Sequence, residues 1–136
     1  MVGLVLVCHS DTLLEGLRAM AAQVAGPNVL VATAGGTEDG RLGTSASRIE
    51  SALRLALDGV DDVLVLLDLG SAVLSLDVAL EMLDPSERSR VRVVDAPLVE
   101  GAIVAAVQAS VGSSIDEVAT AAERAASISK FARPGR

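Results

Sequence analysis

The feature that most constrains the fold is a repeated alternation of short, unbroken apolar segments with segments of helical periodicity. The first apolar segment runs from Val2 to Cys8, and another of the same kind, VLVLLDL, follows Asp62. Strands that are apolar on both faces are typical of parallel sheets covered by helices on both sides. We therefore predict an α/β fold with an open parallel sheet of about four to five strands and helices on both faces.

The predicted element boundaries follow from the apolar pattern together with helix caps and chain breakers. We predict strands at residues 2–8, 28–33, 63–69 and 91–94. We predict helices at residues 12–24, about 45–58, about 72–83, from 96 to near 112, and 114–127. Residues 34–45 are predicted to form a glycine-rich loop. Asp84-Pro85 is predicted to interrupt the helical pattern. Ser114 and Glu117 have the spacing of a capping box ahead of the last helix.

A chain of 136 residues fits one domain. We assign residues 1–128 to this domain and residues 129–136 to a tail or linker. The tail is distinguished by its charge, because it holds three cations, at Lys130, Arg133 and Arg136, in an otherwise acidic chain.

The composition argues against several kinds of partner. The formal net charge of −7 opposes both the phosphate backbone of nucleic acids and an anionic membrane surface. Tryptophan and tyrosine are absent and Phe131 is the only aromatic ring, so the chain lacks ring faces on which bases could stack. No apolar run reaches the length of a membrane span, and the first residues lack the pattern of a secretory signal. We therefore expect a cytoplasmic protein that binds neither nucleic acid nor a membrane.

Polar residues follow the predicted strands where ligands bind in this class of fold. In an open parallel sheet, the carboxyl ends of the strands share one edge, and the binding crevice lies where the strand order reverses. The only histidine of the chain, His9, follows the first strand, and Asp68 stands at the end of the third. We therefore predict that His9 and Asp68 lie close together among turns rich in glycine, serine and threonine. The candidate residues from these turns are Ser10, Gly43, Thr44, Gly70 and Ser71.

Several kinds of site lack their sequence signature. No GxGxxG, GxxxxGK[ST] or GxSxG motif is present, which disfavours dinucleotide, P-loop and α/β-hydrolase sites. A hydrolase triad of Ser71, His9 and Asp68 has the right residue types but lacks the strained serine turn. A receiver domain would use Asp68 as its phosphoacceptor, but it needs an acidic pair where Cys8 and His9 stand. One histidine and one cysteine are too few for zinc, so we predict no metal site, and we expect Cys8 to pack in the core.

The chemistry that remains uses His9 as a nucleophile. A neutral imidazole attacks phosphorus at physiological pH without a separate base. Asp68, on the far ring nitrogen, would fix the tautomer and support the cation that phosphorylation creates. Helix starts beside Ser10, Thr44 and Ser71 would offer N–H groups to the phosphoryl oxygens. Plainer interpretations stay open: His9 as an ordinary surface or core histidine, Asp68 as a turn residue and Ser71 as a helix cap.

Four segments together carry a resemblance to a known family. The segments VGLVLVCHSDTLLEGL, GRLGTSASRI, VLVLLDLGSAVLSLDVALEML and VVDAPLVEGAIVAAV resemble, in this order and spacing, the dihydroxyacetone kinase phosphotransfer subunit. The resemblance covers about residues 1–126. That subunit begins with a domain similar to the mannose-type enzyme IIA of the phosphoenolpyruvate-dependent phosphotransferase system (PTS), which implies a flavodoxin-like topology.

The resemblance implies a relay of phosphate between proteins. In it, His9 accepts a phosphoryl group from the phosphocarrier HPr and passes it to ADP bound on a dihydroxyacetone kinase subunit. Asp68 takes the place of the aspartate that supports the histidine, and the matched motifs place Gly43, Thr44, Gly70 and Ser71 at the same rim. The chain itself is expected to bind no cofactor, since Mg-ADP belongs to the kinase subunit, and it is expected to form a homodimer.

Two other functions stay open beside this one. The first is a mannose-type enzyme IIA domain of a sugar transporter, which uses the same chemistry with a different acceptor. The second is a phosphorylated regulatory module that docks onto a transcription factor.

Overall fold

The computed structural model describes residues 1–131, and within them four parallel strands form one sheet. The strands are β1 (Val2–Cys8), β2 (Val31–Gly35), β3 (Asp62–Leu67) and β4 (Val91–Val93). Their order across the sheet is β2-β1-β3-β4, so the order reverses beside β1. This arrangement confirms the predicted open parallel α/β sheet and matches the flavodoxin-like order.

Helices cover both faces of the sheet. They are α1 (Asp11–Ala25), α2 (Ala46–Gly59), α3 (Val73–Glu81), α4 (Pro85–Arg88), α5 (Leu98–Ser110) and α6 (Ile115–Arg124). Short 3₁₀ segments at Gly70–Ala72 and Ala125–Ser127 precede α3 and follow α6. Within residues 1–131, no helix has the length and apolar character needed to cross a membrane.

The alternation of side chains along β1 divides the core into two layers. Leu4, Leu6 and Cys8 pack with α1, α5 and α6, whereas Val5 and Val7 pack with α2 and α3 on the opposite face. All five side chains are buried, which confirms the predicted place of Cys8 in the core. Full burial of a valine or leucine contributes about 1.5–3 kcal/mol relative to exposure, so the central strand anchors both layers.

The predicted boundaries of β2 were wrong by two to three residues at each end. The strand begins at Val31, which pairs with Leu4 of β1. The residues before it form a turn, and the carbonyl oxygen of Leu30 accepts a hydrogen bond from the N–H of Leu4. The strand continues to Gly35, which sequence periodicity assigned to the loop. A Cβ at Gly35 would lie 2.6 Å from Cα of Asp11, so glycine at this position allows the strand to pass the start of α1.

The predicted break at Asp84-Pro85 is the start of a one-turn helix. The Asp84 side chain accepts a hydrogen bond from the N–H of Glu87, and the Glu87 side chain accepts one from the N–H of Asp84. This reciprocal capping box stabilises α4 although the helix has only four residues. The capping box predicted at Ser114 and Glu117 is present at the start of α6.

The proposed boundary between domain and tail falls near the end of the described chain. Residues 132–136 of the predicted tail lie outside the described residues. Within the described part, the Lys130 ammonium contacts the Glu100 carboxylate in the first turn of α5, at 2.7 Å. The assignment of residues 129–136 to a tail stays a prediction.

Candidate functional site

The backbone of His9 is held from two sides where β1 ends. Its N–H donates to Oδ2 of Asp68 at 3.0 Å, and its carbonyl oxygen accepts from the N–H of Gly43 at 2.9 Å. Asp68 directly follows β3, and Gly43 belongs to the loop after β2. The carboxyl ends of three neighbouring strands therefore fix the position of His9, as expected where the strand order reverses.

The two nitrogens of the His9 ring have different partners. Nδ1 lies 3.0 and 3.1 Å from the two carboxylate oxygens of Asp68, and Nε2 lies 3.0 Å from Oγ of Ser71. An ionised carboxylate only accepts hydrogen bonds, so Nδ1 carries the proton of the neutral ring. Nε2 is then the nitrogen with a free lone pair, and the Ser71 hydroxyl donates to it.

Asp68 is placed by the sheet and kept ionised by its donors. Its N–H continues the ladder by donating to the carbonyl oxygen of Val7, and its carboxylate also accepts the N–H of Leu69 at 2.8 Å. Burial alone would raise the pKa of the carboxyl. Hydrogen bonds from the His9 N–H, the His9 ring and the Leu69 N–H outweigh burial, so the pKa of Asp68 is lowered from its ordinary value.

The accessibility of the pair suits a supported nucleophile. The His9 side chain is 27% exposed and the Asp68 side chain only 16%. Solvent or a partner can therefore reach the ring, while the carboxylate behind it is more covered. An electrophile that bonds to Nε2 leaves positive charge on the ring, and the Asp68 carboxylate lies at the opposite nitrogen to stabilise that charge.

Cys8 is a poor nucleophile in this setting. Its side chain is buried, and its Sγ accepts a hydrogen bond from the N–H of Ser10 at 3.4 Å. Burial raises the pKa of the thiol, and the negative charge of Asp68 raises it further. Cys8 therefore stays protonated, which disfavours it as the nucleophile at this strand end.

The structure brings the other predicted residues to the same edge, in structural roles. Oγ of Ser10 accepts from the N–H of Leu13 and caps α1. Oγ1 of Thr44 lies 2.7 Å from Oγ of Ser75, and Gly70 begins the 3₁₀ turn that contains Ser71. Their contacts with phosphate stay predictions.

Sequence reasoning missed two contributors to the site. The N–H of Leu69 helps to hold the Asp68 carboxylate, and Ser75 links α3 to the loop after β2 through Thr44. Ser75 had a usable signal, because it stands four residues after Ser71, about one helical turn further along. Leu69 had only its position beside Asp68.

Metal ligands are sparse in the part of the chain that the structure describes. Residues 1–131 contain no group of three or more histidine, cysteine, aspartate or glutamate side chains placed to hold a metal ion. The groups that contact the His9 ring are the Asp68 carboxylate and the Ser71 hydroxyl.

Comparison with protein families finds one match that spans the site. Residues 3–119 match the family described as the PTS system fructose IIA component. The matched range contains His9, Asp68 and the other residues of the rim.

Curated relatives include subunits of dihydroxyacetone kinases. The chain is 41% identical over 118 residues to the phosphoryl donor subunit of PEP-dependent dihydroxyacetone kinase 2 of Listeria innocua, covering 87% of this chain and 94% of the relative. It is 33% identical to the phosphotransferase subunit of the PTS-dependent dihydroxyacetone kinase of Lactococcus lactis, covering 85% and 89%. It is 42% identical to the phosphoryl donor subunit of the PEP-dependent dihydroxyacetone kinase of Escherichia coli. This match covers 87% of this chain but only 25% of that longer protein.

A solved crystal structure shares the fold. It is described as that of a protein of unknown function, with a TM-score of 0.81 and 34% identity. The match covers 90% of this chain and 93% of the other. It supports the architecture and adds nothing about activity.

Proposed function

This chain belongs to the family of the PTS system fructose IIA component, and we propose that it carries a phosphoryl group on Nε2 of His9. The observation that carries the proposal is the pairing of the His9 ring, with Nδ1 on the Asp68 carboxylate and Nε2 directed to the Ser71 hydroxyl at the rim. We further propose that it is the phosphoryl donor subunit of a PEP-dependent dihydroxyacetone kinase, since the Listeria innocua relative, aligned over most of both chains, is named as such a subunit.

The first transfer loads the histidine. In the proposed step, the lone pair of Nε2 attacks the phosphorus of the phosphohistidine on HPr. The donor's P–N bond breaks and its electron pair returns to the donor imidazole. Nδ1 keeps its proton throughout, so the phosphorylated ring becomes cationic, and the Asp68 carboxylate offsets that charge at about 3 Å.

The phosphoryl oxygens need donors, because the domain as a whole is acidic. We propose that the incoming group displaces the Ser71 hydroxyl from Nε2 and that this hydroxyl then donates to a phosphoryl oxygen. Backbone N–H groups at the turn from Gly70, and at the helix starts near Ser10 and Thr44, complete the cradle. Gly43 contributes by positioning the loop, since its own N–H is taken by the carbonyl oxygen of His9.

The second transfer unloads the histidine onto ADP held by the kinase subunit. A β-phosphate oxygen of ADP attacks the phosphorus in line with Nε2, the P–Nε2 bond breaks, and its electron pair returns to the ring. We place Mg²⁺ with ADP on the kinase subunit, because residues 1–131 offer no cluster of ligands for it. In this proposal the chain uses no cofactor of its own and works in the cytoplasm with these partners.

The acceptor is tested by discharging the loaded protein. The chain is phosphorylated with labelled phosphoenolpyruvate, enzyme I and HPr, purified, and mixed with the ADP-loaded kinase subunit. Label should appear in ATP, whereas dihydroxyacetone alone should leave the protein loaded. A chain carrying His9→Ala, treated in the same way, controls for carry-over of label from HPr.

A second candidate acceptor is a sugar-transport protein, and the description of the matched family as a fructose IIA component favours it over a purely regulatory role. Discharge to a mannose-type IIB protein, and not to ADP on the kinase subunit, would establish that function instead. Retention of the label with every acceptor would support a regulatory module.

A further inference from the structure

A hydrogen bond between two side-chain hydroxyls joins the loop after β2 to the first turn of α3. Oγ1 of Thr44 lies 2.7 Å from Oγ of Ser75, and both residues are half-buried. We call this contact the hydroxyl link. Within residues 1–131, no other hydrogen bond or ion pair joins residues 36–45 to residues 69–81. The hydroxyl link is therefore the polar connection between these two segments.

Each side of the hydroxyl link leads to His9 through one further contact. Gly43, the residue before Thr44, donates its N–H to the carbonyl oxygen of His9 at 2.9 Å. Ser71, four residues before Ser75, has its Oγ 3.0 Å from Nε2 of the His9 ring. The hydroxyl link therefore closes a circuit of contacts that starts at the backbone of His9 and ends at its side chain.

On the loop side, the hydroxyl link restrains a backbone that is otherwise permissive. Gly43 has a φ of 140°, in the region that favours glycine, and glycine has more conformational freedom than any other residue. On the far side of Thr44, Ser45 caps α2 by accepting the N–H of Arg48. The link therefore connects the start of α2 to the start of α3, with the glycine that holds His9 beside it.

On the helix side, Ser71 and Ser75 belong to one continuous element. The 3₁₀ turn Gly70–Ala72 leads directly into α3, and neither has a capping side chain at its start. In the described part of the chain, side chains of residues 70–81 make two hydrogen bonds, from Ser71 to His9 and from Ser75 to Thr44. Without the link, the polar side of this element is held only by the contact with Nε2 itself.

We propose that Ser75 is a positioning residue for phosphoryl transfer at His9, acting through Thr44 on the loop and through Ser71 on Nε2. The inference rests on the proposed function, in which Nε2 attacks phosphorus and the Ser71 hydroxyl moves to a phosphoryl oxygen. Ser75 stands about one helical turn from Ser71, and its hydroxyl contacts Thr44 and not the His9 ring. It keeps the nucleophile and its neighbouring hydroxyl in one geometry, and a misplacement of about 1 Å can slow a reaction about 100-fold.

The kinetic test compares Ser75→Ala with the conservative variant Ser75→Thr. Alanine favours a helix more than serine does, so Ser75→Ala should fold. We expect Ser75→Ala to lower kcat for loading from phospho-HPr about tenfold, with KM little changed. Ser75→Thr should retain most of the wild-type rate, because it keeps a hydroxyl. An unchanged kcat in Ser75→Ala, or an equal loss in Ser75→Thr, would overturn the proposal.

Ser113→Ala is the matched control. Oγ of Ser113 donates to Oε1 of Gln108 at 2.8 Å, and Ser113 is also half-buried. It follows the end of α5, a helix that begins after the carboxyl end of β4, so it lies away from the rim. The control removes a side-chain hydrogen bond of similar length and should load at the wild-type rate. An equal loss of kcat in both alanine variants would overturn the proposal.

Nitrogen NMR of the unphosphorylated chain separates positioning from a purely structural role. His9 is the only histidine, so its two ring nitrogens give one set of signals. We expect Ser75→Ala to shift the Nε2 signal in the same direction as Ser71→Ala, because both weaken the hydrogen bond to Nε2, while Nδ1 keeps its proton. Thr44→Val, which removes the other hydroxyl of the link, should give the same shift.

Wild-type Nε2 signals in folded Ser75→Ala and Thr44→Val, with or without slower loading, would overturn the proposal. Failure of the wild-type chain to load from phospho-HPr would instead contradict the proposed function. The NMR comparison needs no phosphoryl donor, so it would still decide whether Ser75 positions the ring.

Discussion

At the scale of single residues, the proposed chemistry depends on the different surroundings of the two nitrogens of His9. Nδ1 faces a carboxylate that is mostly covered, and Nε2 faces a hydroxyl at the surface. A histidine with the same exposure but without Asp68 would sample both tautomers and lose the compensation for a cationic ring. In the proposed mechanism, the Asp68 carboxylate positions the His9 ring and stabilises the charge that phosphorylation creates on it.

Asp68→Asn should slow phosphoryl transfer about 10–100-fold without unfolding the domain. The amide has one accepting oxygen, so it keeps one of the two backbone N–H bonds, from His9 or from Leu69, and it cannot neutralise the charge that develops on the ring. The rate of loading from phospho-HPr measures the effect, and a thermal unfolding curve checks the fold. Asp58→Asn, at the far end of α2, is the matched control and should transfer at the wild-type rate. A wild-type rate in Asp68→Asn would show that Asp68 is only a turn residue.

The lowered pKa of Asp68 also predicts a pH dependence of stability. Its folded pKa lies below the unfolded value of about 3.9, so the carboxylate contributes stability above that value and loses it as pH falls through the folded pKa. The difference in unfolding free energy between the wild-type chain and Asp68→Asn should therefore narrow as pH is lowered from about 6 to about 3. Urea unfolding at both pH values measures it. A constant difference would contradict an ionised role for Asp68.

The sequence predicted the meeting of His9 and Asp68 but not the detailed contacts of the ring. The meeting follows from topology alone, because carboxyl ends of neighbouring parallel strands share an edge. The contact between Nε2 and Ser71 depends on the 3₁₀ turn at Gly70–Ala72 and on a side-chain rotamer, which no periodic pattern encodes. Gly43 was predicted to line the phosphate, and the structure shows that its N–H holds the backbone of His9.

At the scale of elements, the close contact between the end of β2 and the start of α1 lies next to His9. Gly35 ends β2 in pairing with Cys8, and it passes so close to Asp11 that a side chain would collide with backbone. The sequence pattern placed this glycine in the loop, because local propensity carries no information about how closely a neighbouring helix approaches. The helix α4 was not predicted either, because its single turn has no apolar periodicity and is stabilised by a capping box and a proline.

Two glycine substitutions should have opposite effects on stability. Gly35→Ala should destabilise the domain by about 1–3 kcal/mol, because its Cβ would lie 2.6 Å from Cα of Asp11 and backbone must move. Gly16→Ala should stabilise it by up to about 1 kcal/mol, because Gly16 lies inside α1 with no heavy atom within 4 Å of an added Cβ. Urea unfolding of both variants measures the two effects. A stable Gly35→Ala protein would contradict the close approach.

At the scale of the whole molecule, the described chain places His9 at one edge of the sheet and leaves apolar side chains exposed on other elements. The strand β4 lies at the edge of the sheet, Val93 on it is exposed, and Val107 and Val111 are exposed on and after α5. An open edge and exposed valines are features that a symmetric interface can cover.

We predict a homodimer in solution. Light scattering at micromolar concentration should give twice the 13.8 kDa mass of the chain. A monomer at that concentration would contradict the prediction.

The central claim is that His9 is the residue that carries the phosphoryl group, and labelling of the His9→Ala protein tests it most directly. The wild-type chain and His9→Ala are incubated with labelled phosphoenolpyruvate, enzyme I and HPr, after unfolding curves have shown that both are folded. We predict that the wild-type chain takes up label that is stable in alkali and labile in acid, and that His9→Ala takes up none. Equal labelling of the folded His9→Ala protein would contradict the claim.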